Sequence, residues 1–193
     1  MSEVNVTIND IDLVGRDGQT ILELALENNI EIPNLCHDPR LVPTGSCRLC
    51  LVQVEGQKEP VAACSFEIAP QMVIRTETEE IRAIRKTILE LLFYEHKGVC
   101  TTCDENGDCK LQQYGYEYQL ADEVFSIGRV VEHRDNYTTG NEAILYDPDK
   151  CIRCGRCIRI CQEVQMDHAP VSYTHLRAHE TSLHLVCRLL LEK

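Results

Sequence analysis

Three groups of sulfur and imidazole donors carry the chemistry that this chain offers. Cys36, Cys47, Cys50 and Cys64 are spaced C-x10-C-x2-C-x13-C. His96, Cys100, Cys103 and Cys109 read H-x3-C-x2-C-x5-C, and Cys151, Cys154, Cys157 and Cys161 read C-x2-C-x2-C-x3-C. Of the 12 cysteines, Cys187 alone stands outside these groups. Tight C-x-x-C repeats in a chain without a secretory leader favour metal or cluster ligation over disulfides. Four thiolates can hold the two irons of a 2Fe–2S cluster, two to each iron, or a single zinc ion. Three thiolates and one imidazole can complete the corners of a 4Fe–4S cubane, and they can equally hold zinc. The third, compressed repeat is more specific: three of its cysteines hold one cubane and the fourth ligates another.

Several neighbours belong with these donors. Gly45, in the loop from Leu35 to Cys50, permits positive φ and removes a Cβ where backbone must approach sulfide. Arg48 places positive charge beside the first group, and backbone N–H groups in such a loop can donate to sulfur and tune the potential. Gly155 relieves crowding inside the third group, and Gly107 lies in the turn-rich second one; all four are assigned to cofactor binding. His37, next to Cys36, is read as a neighbour of the first group or an exposed residue rather than a ligand, because four cysteines already suffice.

Composition narrows the remaining classes. The 193 residues are 44% hydrophobic and 26% charged, with 5% aromatics and no Trp, as expected of a globular protein with a modest aromatic core. A formal charge of −12 argues against nucleic acid, which needs a basic footprint. It suits an acidic protein docking on basic partner patches. No run approaches the roughly 18 apolar residues of a membrane helix, so no direct membrane insertion is expected. The start, Met1-Ser2-Glu3-Val4-Asn5, has neither the basic nor the apolar region of a secretory signal, which points to the cytoplasm.

The elements that must position the donors are legible in outline. Val4, Val6 and Ile8 alternate with polar residues, Asn9-Asp10 supplies a turn, and Ile11 to Val14 resumes an extended pattern, predicting a hairpin. Thr20 can cap a helix over 21–28, with Leu22, Ala25 and Leu26 as its apolar face. Leu51 to Glu55, Val61 to Cys64 and Met72 to Thr76 are strand-like, so residues 1–78 predict a β-grasp unit whose cysteine loop lies between helix and third strand. Residues 79–96 predict a helix with an apolar stripe of Ile81, Ile84, Ile88, Leu91 and Leu92, acidic residues at its start and Gly98 as its cap. That helix and the turns to Cys109 make a second unit, 79–119. Residues 115–140 read as polar and poorly structured, with 120–140 as the linker. A third unit spans 141–170. The fold class is α+β.

At the C-x10-C-x2-C spacing the sequence resembles a known family. It is similar to the 2Fe–2S ferredoxin domain that opens the large, G-type iron–sulfur subunit of complex I, the NAD-linked iron-only hydrogenases and the alpha subunit of NAD(P)-linked formate dehydrogenases. The helix delivering His96, followed by Cys-Thr-Thr-Cys-Asp-Glu-Asn-Gly-Asp-Cys-Lys-Leu-Gln, resembles the one-His, three-Cys 4Fe–4S domain that comes next in that family. The resemblance implies one 2Fe–2S cluster, one His/Cys-ligated 4Fe–4S cluster and, with the third group, a truncated bacterial-type 4Fe–4S ferredoxin domain, with one or two further 4Fe–4S clusters in the full-length protein. It also implies a flavin-bearing, NAD(P)H-oxidising partner subunit and a missing C-terminal catalytic domain. The run Gly107 to Tyr114, ending Tyr116-Glu117-Tyr118, looks most like the formate dehydrogenase branch, with the hydrogenase and complex I branches next. Residues 171–193 resemble a translated sequencing-library adapter and are expected to be non-native, His175, His179 and His184 included. No Rossmann glycine fingerprint and no P-loop is present, so electron transfer is the leading expectation. A zinc-binding structural protein is the rival from another class.

Overall fold

The computed structural model describes residues 3–96, 100–121, 147, 149–166, 170–172 and 176–178. Strand β1 (Glu3–Ile8) and strand β2 (Ile11–Arg16) form the expected hairpin, paired from Glu3 opposite Arg16 to Ile8 opposite Ile11. Asn9 and Asp10 both adopt positive φ, 49° and 66°, as the tight turn of a twisted ribbon requires. Helix α1 (Ile21–Glu27) is started by a capping box in which Thr20 and Glu23 satisfy each other's backbone N–H. It buries Ile21, Leu22, Leu24 and Ala25 against the sheet. Leu26, expected on that face, is 48% exposed, because the helix meets the sheet along Ile21, Leu24 and Ala25 and ends a residue later.

The chain then makes the long cysteine loop and returns as β3 (Leu51–Val54), β4 (Val61–Ala62) and β5 (Met72–Arg75). The sheet order is β2-β1-β5-β3-β4. Strand β5 runs parallel to β1, with Val6 opposite Met72, and the other pairs are antiparallel. This is the β-grasp arrangement. Its core joins Val4, Val6, Ile8, Leu22, Val52 and Ile74 to Cys50 and Cys64, so two of the thiols are part of the packed interior.

Helix α2 (Glu79–Glu95) follows, with Thr78 capping Ile81 N–H and Glu79 and Glu80 at its positive end. Its buried stripe is Ile81, Arg85, Leu89 and Phe93, one residue per turn. The expected stripe is corrected here: Ile84, Ile88 and Leu92 flank it half-buried, and Leu91 is 62% exposed. The reason is Arg85, a fully buried cation that sequence reading leaves on the polar side. Gly98 lies outside the described residues.

Helix α3 (Lys110–Glu117) occupies part of the segment read as unstructured. Leu111, Tyr114 and Tyr118 recur at helical spacing and are buried, as is Leu120. The helix ends through Gln119 at φ 51°, with Leu120 N–H returning to Gly115 O. The remainder of the expected linker lies outside the described residues. In the third unit, Gly155 adopts φ 71° ahead of α4 (Arg156–Arg159), which continues into a wide π turn over Ile160–Val164. Of the expected non-native tail, the described backbone covers only β6 (Pro170–Ser172) from its second residue and β7 (Leu176–Ala178), paired antiparallel. Among the described residues no helix is long and apolar enough to cross a membrane.

Candidate metal centres

The first group converges. Cys36 and Cys47 are hydrogen-bonded thiol to thiol, Cys50 and Cys64 likewise, and the charge of Cys47 is felt at Cys36, Cys50 and Cys64. Four sulfurs separated by up to 28 residues thus form two adjacent pairs. Among the described residues, no three His, Cys, Asp or Glu donors close on one ion-sized point. Two pairs are the donor set that two irons with two thiolates each require.

Each pair is asymmetric in charge. Cys47 is drawn below the ordinary thiol range by the Cys36 S–H, against the effect of burial, with help from backbone N–H groups of Leu35 and Leu49. Cys64 is drawn down by the Cys50 S–H, and by the Gly45 N–H and Ser65 hydroxyl. Cys36 and Cys50 are pushed up, first by sharing their proton with the partner sulfur and then by burial. Leu35 N–H approaches Cys47 Sγ at 3.5 Å, and Cys47 N–H approaches Cys36 Sγ at 3.4 Å. The loop therefore aims amides at sulfur before any iron is bound.

Local conformation explains how the loop achieves this. Gly45 takes φ 62° and Arg48 takes φ 57°, a left-handed backbone that arginine seldom adopts. A Cβ on Gly45 would meet ordinary contacts at 3.7 Å from Ala62 and Ser65, so its positive φ, rather than close approach, is the demand on that residue. Asp38 anchors the loop's outer turn: its carboxylate accepts from Arg40 N, Nε and Nη2 and is held at about 2 by that guanidinium. His37 is partly buried, with Nδ1 enclosed and lacking a hydrogen bond, and burial lowers its pKa.

The second group begins where α2 ends. His96 is the C-terminal cap of α2, edge-on to Phe93. Cys100 opens a single 3₁₀ turn, Cys100–Thr102, and burial raises its pKa, aided by the nearby charges of Cys109 and Cys103. Gly107, at φ 90°, donates to Gln112 Oε1 at 2.9 Å and so ties the loop to α3. In the third group burial raises the Cys157 thiol, aided by the nearby charges of Cys154 and Cys151, but the three thiols do not close on one point. Cys161 is buried on the following π turn.

These groups also share walls. Leu35, Cys47 and Leu49 of the first loop pack with Leu89, Phe93, Cys100, Cys109, Leu111 and Tyr114 in one apolar cluster. Tyr114 OH accepts from Asn34 N at 3.3 Å. Buried Arg85 donates to Leu51 O at 2.8 Å, Thr76 O at 2.9 Å, Tyr118 OH at 3.1 Å and Glu77 at 2.7 Å. Lys150 and Arg153 pair with Asp104 and Glu95. Sequence reading missed Arg85, Tyr114 and Tyr118; the i, i+4 spacing of the two tyrosines was the only signal for them.

A β-grasp domain with four converging thiols, followed by a helix-delivered His/Cys group and a compressed cysteine repeat, defines a multi-cluster iron–sulfur protein. Comparisons narrow that class. Residues 1–79 match the 2Fe–2S iron–sulfur cluster binding domain, 85–123 the NADH-ubiquinone oxidoreductase-G iron–sulfur binding region, and 143–165 a 4Fe–4S binding domain. The chain is 36% identical over 161 residues to a G-type NADH-quinone oxidoreductase subunit of Rhizobium meliloti, covering 83% of this chain and 19% of that protein. It is 31% identical over 170 residues to an NADP-reducing hydrogenase subunit of Solidesulfovibrio fructosivorans, covering 86% of this chain and 28% of that one. A solved NAD+-reducing [NiFe]-hydrogenase superposes with a TM-score of 0.74 at 30% identity, over 87% of this chain and 69% of its own. The chain belongs to this family of iron–sulfur oxidoreductase subunits and carries its 2Fe–2S and 4Fe–4S binding domains. It spans between 16% and 28% of the length of the curated relatives named or grouped with these.

Proposed function

We propose that this chain is the iron–sulfur electron-transfer module of an NAD(P)-linked oxidoreductase acting in the cytoplasm. The observation that supports it most is the convergence of Cys36, Cys47, Cys50 and Cys64 in two hydrogen-bonded pairs. In this reading those four hold the 2Fe–2S cluster; His96, Cys100, Cys103 and Cys109 hold a 4Fe–4S cluster; and Cys151, Cys154 and Cys157 hold three corners of another, with Cys161 facing a further one. The units are 1–78, 79–119 and 141–170, joined through 120–140, with 171–193 foreign to them. The bound clusters supply one-electron steps at potentials set by ligands and surroundings. The chain's own work is to fix the sulfurs, aim amides at them and exclude water around Cys50, Cys64 and Cys100.

The electron source would be a flavin-bearing, NAD(P)H-oxidising partner, and the sink a catalytic domain further along the full-length chain. The run from Gly107 to Tyr118 supports the formate dehydrogenase branch. A second reading, a hydrogenase or a G-type complex I component, is favoured by the names of the relatives above. Anaerobic reconstitution tests the common core. The loaded chain should show broad visible absorbance that bleaches with NADH in the presence of the flavoprotein partner. A colourless, zinc-loaded product would overturn it. Coding sequence beyond Asp167 decides the branch: a second C-x2-C-x2-C-x3-C followed by a molybdopterin domain supports formate dehydrogenase, and a hydrogenase domain overturns it.

A further inference from the structure

The third cysteine group does more in this fold than present thiols, because two side chains between and beyond its cysteines reach the loop of the first group. Arg159 and Glu163 flank Cys161 and stand one helical turn apart, with Arg159 Nε 3.4 Å from Glu163 Oε1. Arg159 Nη2 donates to Val42 O at 2.8 Å, and Nη1 donates to Thr44 Oγ1 at 3.1 Å. Glu163 Oε2 accepts from Val42 N at 2.7 Å. Both backbone polar groups of Val42 are therefore held by one ion pair, much as a neighbouring strand would hold them. The Arg159 side chain is 11% exposed and that of Glu163 29%, whereas Val42 is 69% exposed, so apolar anchorage here rests on the neighbouring Leu41, 5% exposed, and the backbone of Val42 is held by the ion pair. Thr44 precedes Gly45, whose N–H donates to Cys64, and its hydroxyl also meets Ser46, next to Cys47.

We propose that Arg159 and Glu163 are positioning residues that clamp the 42–44 segment and thereby hold the first cysteine loop closed around its four sulfurs. The proposal rests on the reading of Cys36, Cys47, Cys50 and Cys64 as 2Fe–2S ligands. Its consequence is that the third unit governs how firmly the first one keeps its cluster. Loss of the clamp frees the outer loop between Cys36 and Cys47, leaves the strands and α1 untouched, and opens a route for solvent to the buried sulfurs.

Three measurements on the reconstituted full chain test it. In Glu163→Ala, the Val42 amide should exchange with solvent about tenfold faster or more, since a charge-assisted hydrogen bond is lost. Amides of Val6 and Ile8 should keep their protection. In Arg159→Ala, trypsin should cut the Arg40–Leu41 bond about tenfold faster, and a chelator should bleach the 2Fe–2S absorbance faster by a similar factor. Arg159→Lys and Glu163→Gln, which keep a donor and an acceptor, should restore part of each effect. Wild-type exchange at Val42 together with wild-type bleaching would overturn the proposal. So would equal loosening of Val42, Val6 and Ile8, which signifies general destabilisation. Cys47→Ser serves as the separate control: if it keeps a normal 2Fe–2S spectrum, the ligand reading fails, whereas Val42 exchange still reports on the clamp.

Discussion

Cys47 and Cys36 are neighbours in space with opposite acid–base character, and the difference is set by which sulfur receives hydrogen bonds. Backbone amides and the Cys36 S–H converge on Cys47, which is also partly exposed, whereas Cys36 is buried and keeps its proton. Thiolate is the reactive form. In the cluster-free chain at pH 7, iodoacetamide should therefore label Cys47 well before Cys36, as peptide mass spectrometry can follow; equal rates would contradict the pairing. A pH dependence follows from the same asymmetry. Cys36 and Cys50 have raised values, so they hold protons at neutral pH that must leave if the four thiols bind iron as proposed above. Cluster retention therefore improves as pH rises and weakens as it falls, by up to about tenfold per pH unit for each proton released. The half-life of 2Fe–2S absorbance under chelator at pH 6 and pH 8 measures it; a pH-independent half-life would count against proton sharing. His96 allows a third test at this scale. His96→Ala should lose one 4Fe–4S signal by electron paramagnetic resonance and leave the 2Fe–2S signal intact, whereas unchanged iron content would reduce His96 to a helix cap.

At the scale of elements, α2 is the strut between the first and second groups, and Arg85 is its fastening. The guanidinium satisfies two carbonyls, Leu51 O beside Cys50 and Thr76 O at the end of β5, together with Tyr118 OH. Arg85→Met keeps the apolar bulk but orphans those acceptors. Urea denaturation should register a loss of at least about 3 kcal/mol, from about 1–3 kcal/mol for each of the three groups left without a partner. A midpoint within error of wild type would refute that assignment. The same residue shows where sequence reading stops. Alternation in Val4-Val6-Ile8, the Asn9-Asp10 turn and the Thr20 cap are local signals, and the hairpin, α1 and the three later strands were all legible from them. The convergence of Cys36, Cys47, Cys50 and Cys64 was legible too, from their spacing. Arg85, Arg159 and Glu163 were not, since a charged residue on a helix reads as solvated until its partners, 34 residues away for Leu51 and 117 for Val42, are known. Residues 115–120 failed for the related reason that Tyr118 and Leu120 gain a core only from α2 and the first loop.

Across the whole molecule, the donor count sets an iron count. The first and second groups offer four donors each, whereas the third has a single C-x2-C-x2-C-x3-C whose four cysteines would serve two cubanes. Reconstitution of this chain should give about six irons, two plus four, by metal analysis; a stable product with about ten would show that Cys161 completes the cubane of its own repeat. The parallel pairing of β1 with β5 has a further, kinetic consequence. Val6 meets Met72 and Ile8 meets Ile74, so the centre of the sheet cannot close until the intervening chain, with all four thiols of the first group, has been gathered. Local steps such as the β1–β2 hairpin and α1 form quickly, but this non-local contact must meet a large loop-closure entropy first. By this argument the thiols are gathered as the sheet closes rather than before it. Newly made chains would spend that interval with unsatisfied cysteines open to oxidation, and delivery of iron and sulfide is best timed after the sheet has closed.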